Sequence, residues 1–270
     1  MARIAVEAGI ETVFRASAYE VPNLRTYALI IAGGEGQRLR PLTADRPKPM
    51  IRVAGKPILQ YQMEWLRKEG VTNVAVLCGY KAEVIQVHFW DGRDWGLSIR
   101  YSLEEEPLGR GGALRQGYNL VPPQEEFVIA LNGDTITNQP LAPMIRYHRR
   151  TGAAATVMLA PLVSPYGISK VNRQGRISTF AEKPPLPYWV NAGIYVLSPE
   201  FFRHLPRRGD HETTAFPQLA AQGRLFGYRS RAYWRTIDSM KDLSEAEREV
   251  RQPSLVVSGS APAAGGPSLQ

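Results

Sequence analysis

The chain contains 270 residues, of which 44% are hydrophobic and 21% are charged, and its formal net charge is +8. This is enough sequence to bury one sizeable core, so we expect one main domain. No window approaches the roughly 18 uninterrupted apolar residues of a membrane span, and Glu7, Glu11 and Arg15 interrupt the N-terminal segment where a signal peptide would lie. We therefore expect a soluble, cytoplasmic protein with no membrane partner.

The positive charge alone leaves three kinds of partner open: nucleic acid, an anionic membrane surface and small phosphorylated ligands. The basic clusters are short, as in HRR at 148–150 and PRRGD at 206–210, and most aromatic residues lie inside apolar runs. We expect no nucleic-acid partner, because such a surface interleaves aromatic with basic residues. The single cysteine, Cys78, lies at the end of an apolar run and is predicted to be a buried, unreactive thiol.

In chain order, residues 1–26 have mixed patterning and are predicted to form an appendage to a domain at 27–252. Residues 253–270 are rich in Ser, Ala, Gly and Pro and are predicted to form a disordered tail. Between them, short β-branched runs alternate with amphipathic stretches. The predicted strands are YALIIA (27–32), NVAVLC (73–78), LSIRYSL (97–103), FVIALNGD (127–134), ATVMLA (155–160), GISKV (167–171), RISTFAE (176–182), YWVNAGIYVL (188–197) and LFGYRS (225–230). The predicted helices are Pro57 to Gly70, AEVIQVHFW (82–90), GALRQGYNLV (112–121), PLAPMIRYHRRTG (140–152) and KDLSEAEREVR (241–251).

This alternation predicts an α/β fold, with a largely parallel sheet covered by helices on both faces. Ligands of such sheets gather at the carboxyl ends of the strands. The segment from Ile31 to Met50, IAGGEGQRLRPLTADRPKPM, begins at that end of the first strand. Its glycines would let backbone N–H groups converge on an anion, for which phosphate is the natural guest.

The spacing of these glycines fits neither common phosphate loop. No Gly-Lys pair follows at P-loop spacing, and Leu39 stands where the dinucleotide fingerprint needs its third glycine. A tight turn without a ligand would explain the glycines but would leave Arg38 and Lys48 unexplained.

The whole segment GGEGQRLRPLTADRPKPM (33–50) resembles the signature loop of the sugar-phosphate nucleotidyltransferases, which make nucleotide sugars from a nucleoside triphosphate and a sugar 1-phosphate. Further motifs follow in the family's order: EEEPLGRGGAL (104–114), LNGD (131–134), YG (166–167), AEKP (181–184), NAGIYVL (191–197) and YWRTID (233–238). The resemblance implies a Rossmann-like three-layer α/β/α fold with a mostly parallel mixed sheet. No hexapeptide repeat is present, so we expect no C-terminal β-helix. Relatives are commonly homo-oligomers.

The resemblance also assigns roles to individual residues. Nucleotide binding falls to Ala32, Gly33, Gly34, Gly36, Glu104 and Gly109. Arg38 and Lys48 are placed at the triphosphate, Lys183 at the phosphate of the sugar phosphate, and Gly167, Glu182 and Asn191 at the sugar hydroxyls. The reaction is attack of a sugar-phosphate oxygen on the α-phosphorus, with pyrophosphate leaving in line, so alignment and charge neutralisation matter more than a protein nucleophile. Taken alone, Lys183 also fits a surface ion pair.

Asp134 is the predicted ligand of Mg²⁺, because a hard carboxylate at the carboxyl edge of the sheet could bind a cation that bridges phosphates. Taken alone, this aspartate also fits a turn or a helix cap. Most relatives carry a second metal aspartate in a W-x-D-x-G arrangement, where this chain has Thr236. A shift of two residues along a strand keeps the same face, so we assign the second ligand to Asp238.

The base and the sugar are less constrained. In relatives specific for uracil or thymine, a glutamine occupies the position of Glu104. A carboxylate only accepts hydrogen bonds, which suits the two adjacent donors of guanine and favours GTP, although Glu105 and Glu106 leave the register open. Arg110 stands where many relatives have threonine, and its charge either helps the phosphates or points to solvent.

The motifs resemble those of guanylyltransferases that act on mannose 1-phosphate or heptose 1-phosphate, and mannose is the simpler expectation. A glucose-1-phosphate enzyme that uses UTP, dTTP or CTP is the alternative. A catalytically silent regulatory subunit is a hypothesis of another class, and it depends on Thr236.

Overall fold

A computed structural model of the chain describes residues 26–252. The predicted appendage, apart from Thr26, and the predicted tail lie outside these residues. Within residues 26–252, no helix is long and apolar enough to cross a membrane.

The described chain folds around one seven-stranded sheet. The strands are β1 (Tyr27–Ala32), β2 (Arg52–Val53), β3 (Lys56–Pro57), β4 (Asn73–Cys78), β5 (Ser98–Leu103), β6 (Val128–Asn132), β7 (Thr135–Thr137), β8 (Ala155–Val163), β9 (Ile168–Val171), β10 (Ile177–Ala181), β11 (Pro185–Leu197), β12 (Leu225–Arg229) and β13 (Trp234–Thr236). The helices are α1 (Ile58–Lys68), α2 (Ala82–Phe89), α3 (Gly109–Gly117), α4 (Leu141–Thr151), α5 (Pro199–Arg203), α6 (Ala215–Ala221) and α7 (Met240–Glu249).

The sheet order is β12-β8-β11-β6-β1-β4-β5, in which β11 alone runs antiparallel to its neighbours. The predicted α/β fold with a mostly parallel mixed sheet is therefore confirmed. Two-stranded pairs lie outside this sheet: β2 with β3, β7 with β13, and β9 with β10. The parallel strands β1 and β6 end side by side, so the residues that follow them meet at one edge.

Both faces of the sheet are buried because helices cover them, and side chains alternate between the two faces along each strand. In β1, Ala28 and Ile30 pack on the face covered by α1 and α4, whereas Leu29 packs on the face covered by α3, α5 and α6. A smaller apolar cluster beneath α7 includes Leu39 and Ile237. The prediction for Cys78 is confirmed: the side chain is fully buried, and burial raises the pKa of the thiol to about 12.

Candidate active site

The glycine loop follows β1 directly, as predicted, and its glycines have different structural reasons. Gly36 has φ +65°, and a Cβ there would lie 2.9 Å from Cβ of Lys48. Glycine is thus required at this position by backbone conformation and by packing. At Gly34, no atom of the described chain other than those of Gly34 and its two chain neighbours lies within 4 Å of where a Cβ would be, so a side chain would project into open space. That space is available to a ligand that approaches the backbone.

Two cations and two carboxylates meet at the carboxyl edge of the sheet. Lys48 begins a 3₁₀ turn after Pro47, and its Nζ lies 2.5 Å from Oδ2 of Asp134 and 2.8 Å from Oδ1 of Asp238. Arg38 donates from Nη2 to the same Oδ1 of Asp238 at 2.8 Å. Partial burial would raise the pKa of Asp238, but Lys48 and Arg38 hold it below its usual value. The structure therefore brings together Arg38, Lys48, Asp134 and Asp238, which we call the charged cluster.

The pairing of β7 with β13 places Asp238 beside Asp134. Thr236 lies opposite Thr135, and the backbone N–H of Ile237 donates to the carbonyl of Asp134 at 3.1 Å. The prediction that Asp238 lies further along the same strand is wrong, because β13 ends at Thr236. Asp238 lies instead in the turn before α7, where its N–H donates to Asp242.

The charged cluster fits a divalent cation. One oxygen from each carboxylate lies within 2.8 Å of the single positive charge of Lys48, so the two carboxylates converge on one point. Mg²⁺ prefers such hard oxygens, and it commonly takes one or two carboxylates together with substrate phosphates and water. In the described part of the chain, no group of three or more His, Cys, Asp or Glu residues could hold a metal by itself. A cation held here would therefore need further ligands from phosphate and water.

Glu104 lies where the glycine loop meets the segment after β4. Its Oε1 would be 3.4 Å from a Cβ on Gly33, and its Oε2 would be 3.4 Å from one on Gly79. The N–H of Leu108 donates to Glu104 at 3.2 Å, and partial burial raises the pKa of the carboxyl. Glu105 and Glu106 are exposed, so Glu104 is the carboxylate of this run that faces the loop.

The predicted sugar residues lie on different elements. Gly167 directly precedes β9, and Glu182 and Lys183 directly follow β10, so all three lie at the base of the β9/β10 hairpin. A Cβ on Gly167 would lie 2.9 Å from Oε2 of Glu182. Lys183 is exposed and has φ +45°, a left-handed conformation that is uncommon outside glycine. Asn191 lies on β11, whose Gly193 packs against Asn132 at the end of β6. Asn191 is thereby placed on the strand next to the one that leads to the charged cluster.

A sequence model described as nucleotidyl transferase matches residues 27–253. The chain belongs to the nucleotidyl transferase family. The mannose-1-phosphate guanyltransferase beta-B of Xenopus laevis is 35% identical over 222 residues, which cover 80% of this chain and 62% of the relative. The mannose-1-phosphate guanylyltransferase of Mycobacterium tuberculosis is 33% identical over 244 residues, with 87% and 66% covered. The chain thus spans 62–66% of the length of these relatives.

The fold of this nucleotidyl transferase also matches solved structures. HddC from Yersinia pseudotuberculosis superposes with a TM-score of 0.68 at 24% identity, covering 84% of this chain and 100% of that one. The fold and the resemblance to sugar-phosphate nucleotidyltransferases that the motifs predicted are therefore confirmed.

The sequence reasoning missed one network in this nucleotidyl transferase. The side chain of Arg110 turns to neither bulk solvent nor the charged cluster: its guanidinium donates two hydrogen bonds to Asp210, at 3.2 and 3.1 Å, and its Nη2 lies 2.7 Å from Glu212. The backbone N–H of Arg110 also donates to Asp210, at 3.0 Å. Glu212 in turn accepts from Nδ2 of Asn191 at 2.8 Å. The available signal was an unusual arginine within EEEPLGRGGAL (104–114), which we call the second loop, together with the carboxylates of the unassigned segment GDHE (209–212).

Proposed function

We propose that this protein transfers a guanylyl group from GTP to mannose 1-phosphate, forming GDP-mannose and pyrophosphate with Mg²⁺. The single observation that carries the proposal is the charged cluster, which joins two cations and two carboxylates at the end of the central sheet. Phosphoryl-type transfer depends on charge neutralisation and alignment, and this cluster offers both. The names of the relatives, mannose-1-phosphate guanyltransferases, support the choice of substrates.

The chemistry exchanges one P–O bond for another. A phosphate oxygen of the sugar phosphate attacks the α-phosphorus, the bond from that phosphorus to the bridging oxygen breaks, and the electron pair leaves with pyrophosphate. Arg38, exposed at the rim of the cluster, would neutralise charge on the triphosphate as it shifts to the leaving group. Lys48, whose side chain is 13% exposed, would hold a fixed positive charge close to the same phosphates.

Asp134 and Asp238 would hold Mg²⁺, which supplies charge neutralisation to the phosphates when bound. For these carboxylates to bind the cation, the ammonium of Lys48 must shift from them toward the nucleotide. The open space beside Gly34 is where the triphosphate would meet the loop backbone.

Glu104 supports guanine as the base. Its carboxylate is half-buried beside Gly33, and the described chain supplies it with one backbone donor, from Leu108. The carboxylate therefore retains capacity to accept from N1–H and the 2-amino group of guanine. A pyrimidine edge, which mixes acceptors with a single donor, would satisfy this carboxylate less well.

The test is pyrophosphate release with Mg²⁺ from a matrix of GTP, UTP, dTTP, CTP and ATP against mannose 1-phosphate, glucose 1-phosphate and a heptose 1-phosphate. We expect release with GTP and mannose 1-phosphate. Release with a pyrimidine nucleotide alone would keep the enzyme class and overturn the assignment of the base. Absence of release across the matrix would favour the regulatory-subunit hypothesis. The position of Asp238 beside Asp134 speaks against that hypothesis, although Thr236 stands where most relatives carry the second metal aspartate.

A further inference from the structure

Glu212 joins two parts of the site that lie far apart in the sequence. One carboxylate oxygen, Oε2, lies 2.7 Å from Nη2 of Arg110, and the other, Oε1, accepts from Nδ2 of Asn191 at 2.8 Å. Arg110 follows Gly109 in the second loop, whereas Asn191 lies on β11. A single carboxylate therefore connects the loop assigned to the nucleotide with a residue assigned to the sugar.

The segment that carries Glu212 is fixed to the second loop by its backbone. The N–H of Gly209 donates to the carbonyl of Leu108 at 2.8 Å, and the N–H of Gly111 donates to the carbonyl of Gly209 at 2.8 Å. A Cβ on Gly109 or Gly111 would lie 2.9 Å from the backbone of Gly209. These glycines thus permit close contact between the start of α3 and the segment leading to Glu212. These contacts hold in place the backbone segment that carries the Glu212 carboxylate.

The hydrogen bonds of Asn191 define which way its side-chain amide faces. Both hydrogens of Nδ2 have acceptors, Glu212 at 2.8 Å and the hydroxyl of Tyr195 at 3.0 Å. Oδ1 accepts from the N–H of Gly193 at 2.8 Å and keeps one lone pair. Because a carboxylate only accepts, Glu212 requires Nδ2 on its side, and the N–H of Gly193 requires Oδ1 on the other. The second lone pair of Oδ1 is left for a ligand.

We propose that Glu212 is a positioning residue that presents Asn191 to the sugar as a hydrogen-bond acceptor. This inference rests on the proposed function. A sugar hydroxyl that donates to Oδ1 of Asn191 would be recognised, whereas a group that can only accept would be rejected. Arg110 binds both Asp210 and Glu212, and its contact with Glu212 at 2.7 Å holds that carboxylate in place.

The test compares Glu212→Gln with Asp210→Asn. A glutamine is uncharged and can present a donor to Asn191, so it no longer enforces Nδ2 on that side, and the orientation of the amide is then held by the N–H of Gly193 alone. We expect the KM for sugar 1-phosphate to rise about tenfold or more, while kcat and the KM for the nucleotide stay within about twofold. Asp210 binds the same guanidinium but, among the described residues, is not a partner of Asn191, so Asp210→Asn should leave the KM for sugar 1-phosphate within about twofold.

A double-mutant cycle separates positioning from a general structural role. In an Asn191→Ala background, Glu212→Gln should no longer change the KM for sugar 1-phosphate. An unchanged KM in the single variant, equal effects on both substrates, or full additivity with Asn191→Ala would overturn the proposal. Should Glu212→Gln not fold, Glu212→Asp keeps the charge but is too short to reach both partners, and the same KM rise is expected. Wild-type turnover in the substrate matrix is measured first, because its absence would reject the proposed function rather than the role of Glu212.

Discussion

The two halves of the candidate site are built differently. The charged cluster lies at the carboxyl edge of the main sheet. The side chain of Lys48 is 13% exposed there and forms ion pairs with both Asp134 and Asp238. The β9/β10 hairpin, which carries Gly167, Glu182 and Lys183, is a two-stranded sheet whose strand residues are all exposed. The triphosphate side is thus assembled on packed elements, whereas most of the sugar side lies on an element that contributes little to the core.

This difference predicts that substitutions in the two halves of the site will have different effects on turnover, on binding and on the stability of the fold. An isolated two-stranded hairpin is marginally stable, and segments with few buried apolar contacts open more readily than core strands. Changes to the charged cluster should therefore affect turnover at a site that remains rigid. Changes on the hairpin should affect binding of the sugar phosphate with little consequence for the free energy of unfolding of the protein.

The largest effect is expected from Asp134→Ala. The change removes a carboxylate assigned to the cation and leaves Lys48 with one acidic partner, Asp238. Metal-assisted charge stabilisation is worth several kcal/mol, so kcat should fall by a factor of about 10³ or more. Steady-state pyrophosphate release measures this loss, and the thermal unfolding midpoint should stay within a few degrees of the wild type. Full magnesium-dependent turnover in this variant would remove Asp134 from the metal site.

A smaller effect is expected from Lys183→Gly. Glycine accepts the observed φ of +45° without strain, so this variant removes the ammonium and preserves the backbone. Loss of one preorganised charge contact should lower kcat/KM for the sugar phosphate by a factor of about 10². The exposed ammonium of Lys170, on β9 of the same hairpin, supplies the matched control, and Lys170→Gly should leave kcat/KM nearly unchanged. Equal losses in the two variants would show that kcat/KM depends on the overall positive charge of the hairpin and not on Lys183 specifically.

Sequence patterns predicted the packed half of the molecule well, and the reason is visible in particular elements. Strands β1 and β4 match their predicted bounds because each is a continuous apolar run. Helices α5 and α6, of five and seven residues, were missed since they are too short to show a helical period. Strand β7, of three residues, was also missed, because its pairing with β13 depends on tertiary contacts. A strand at Thr236 was expected, but it ends there and does not continue to Asp238.

The same distinction applies to the site. Arg38, Lys48 and Asp134 stand in contiguous motifs, so the sequence alone predicted them as site residues, and the fold brings them together. Glu212 lies about a hundred residues from Arg110, its partner, and no local pattern connects them. Only the folded chain brings these two residues together.

Substitutions at Gly34 and Gly36, two of the three glycines of the glycine loop, test whether their roles separate as the structure indicates. Gly36→Ala forces a left-handed residue and places a Cβ 2.9 Å from Lys48, so the free energy of unfolding should fall by about 2 kcal/mol. Gly34→Ala adds a methyl group to open space, so stability should be unchanged while the KM for the nucleotide rises. Chemical denaturation and steady-state kinetics on both variants measure the contrast. A stable Gly36→Ala protein would contradict the packing argument.

The smallest predicted effect is a pH dependence of stability that arises in the packed body. Burial lowers the pKa of both His148 and His211 to about 4, so each imidazole is neutral in the folded protein and binds a proton more readily when unfolded. The unfolded state then holds more protons between about pH 6.5 and pH 4, and stability falls as the pH is lowered through this window. From pH 7 to pH 5.5 the expected loss is about 1 kcal/mol for each histidine.

The two histidines differ in their hydrogen bonds, and replacing each one isolates its contribution. His148 pairs with the hydroxyls of Thr156 and Ser198 at 2.8 and 2.9 Å, whereas neither ring nitrogen of His211 has a hydrogen-bond partner within residues 26–252. His211→Phe should therefore reduce the loss of stability at pH 5.5, because a phenyl ring fits beside Tyr195 and Phe216. His148→Phe should lower stability even at pH 7, because it leaves the buried hydroxyl of Thr156 and the half-buried hydroxyl of Ser198 without this partner. Denaturation at both pH values distinguishes the two results, and a uniform response would show that burial of the rings, rather than their hydrogen bonds, sets the cost.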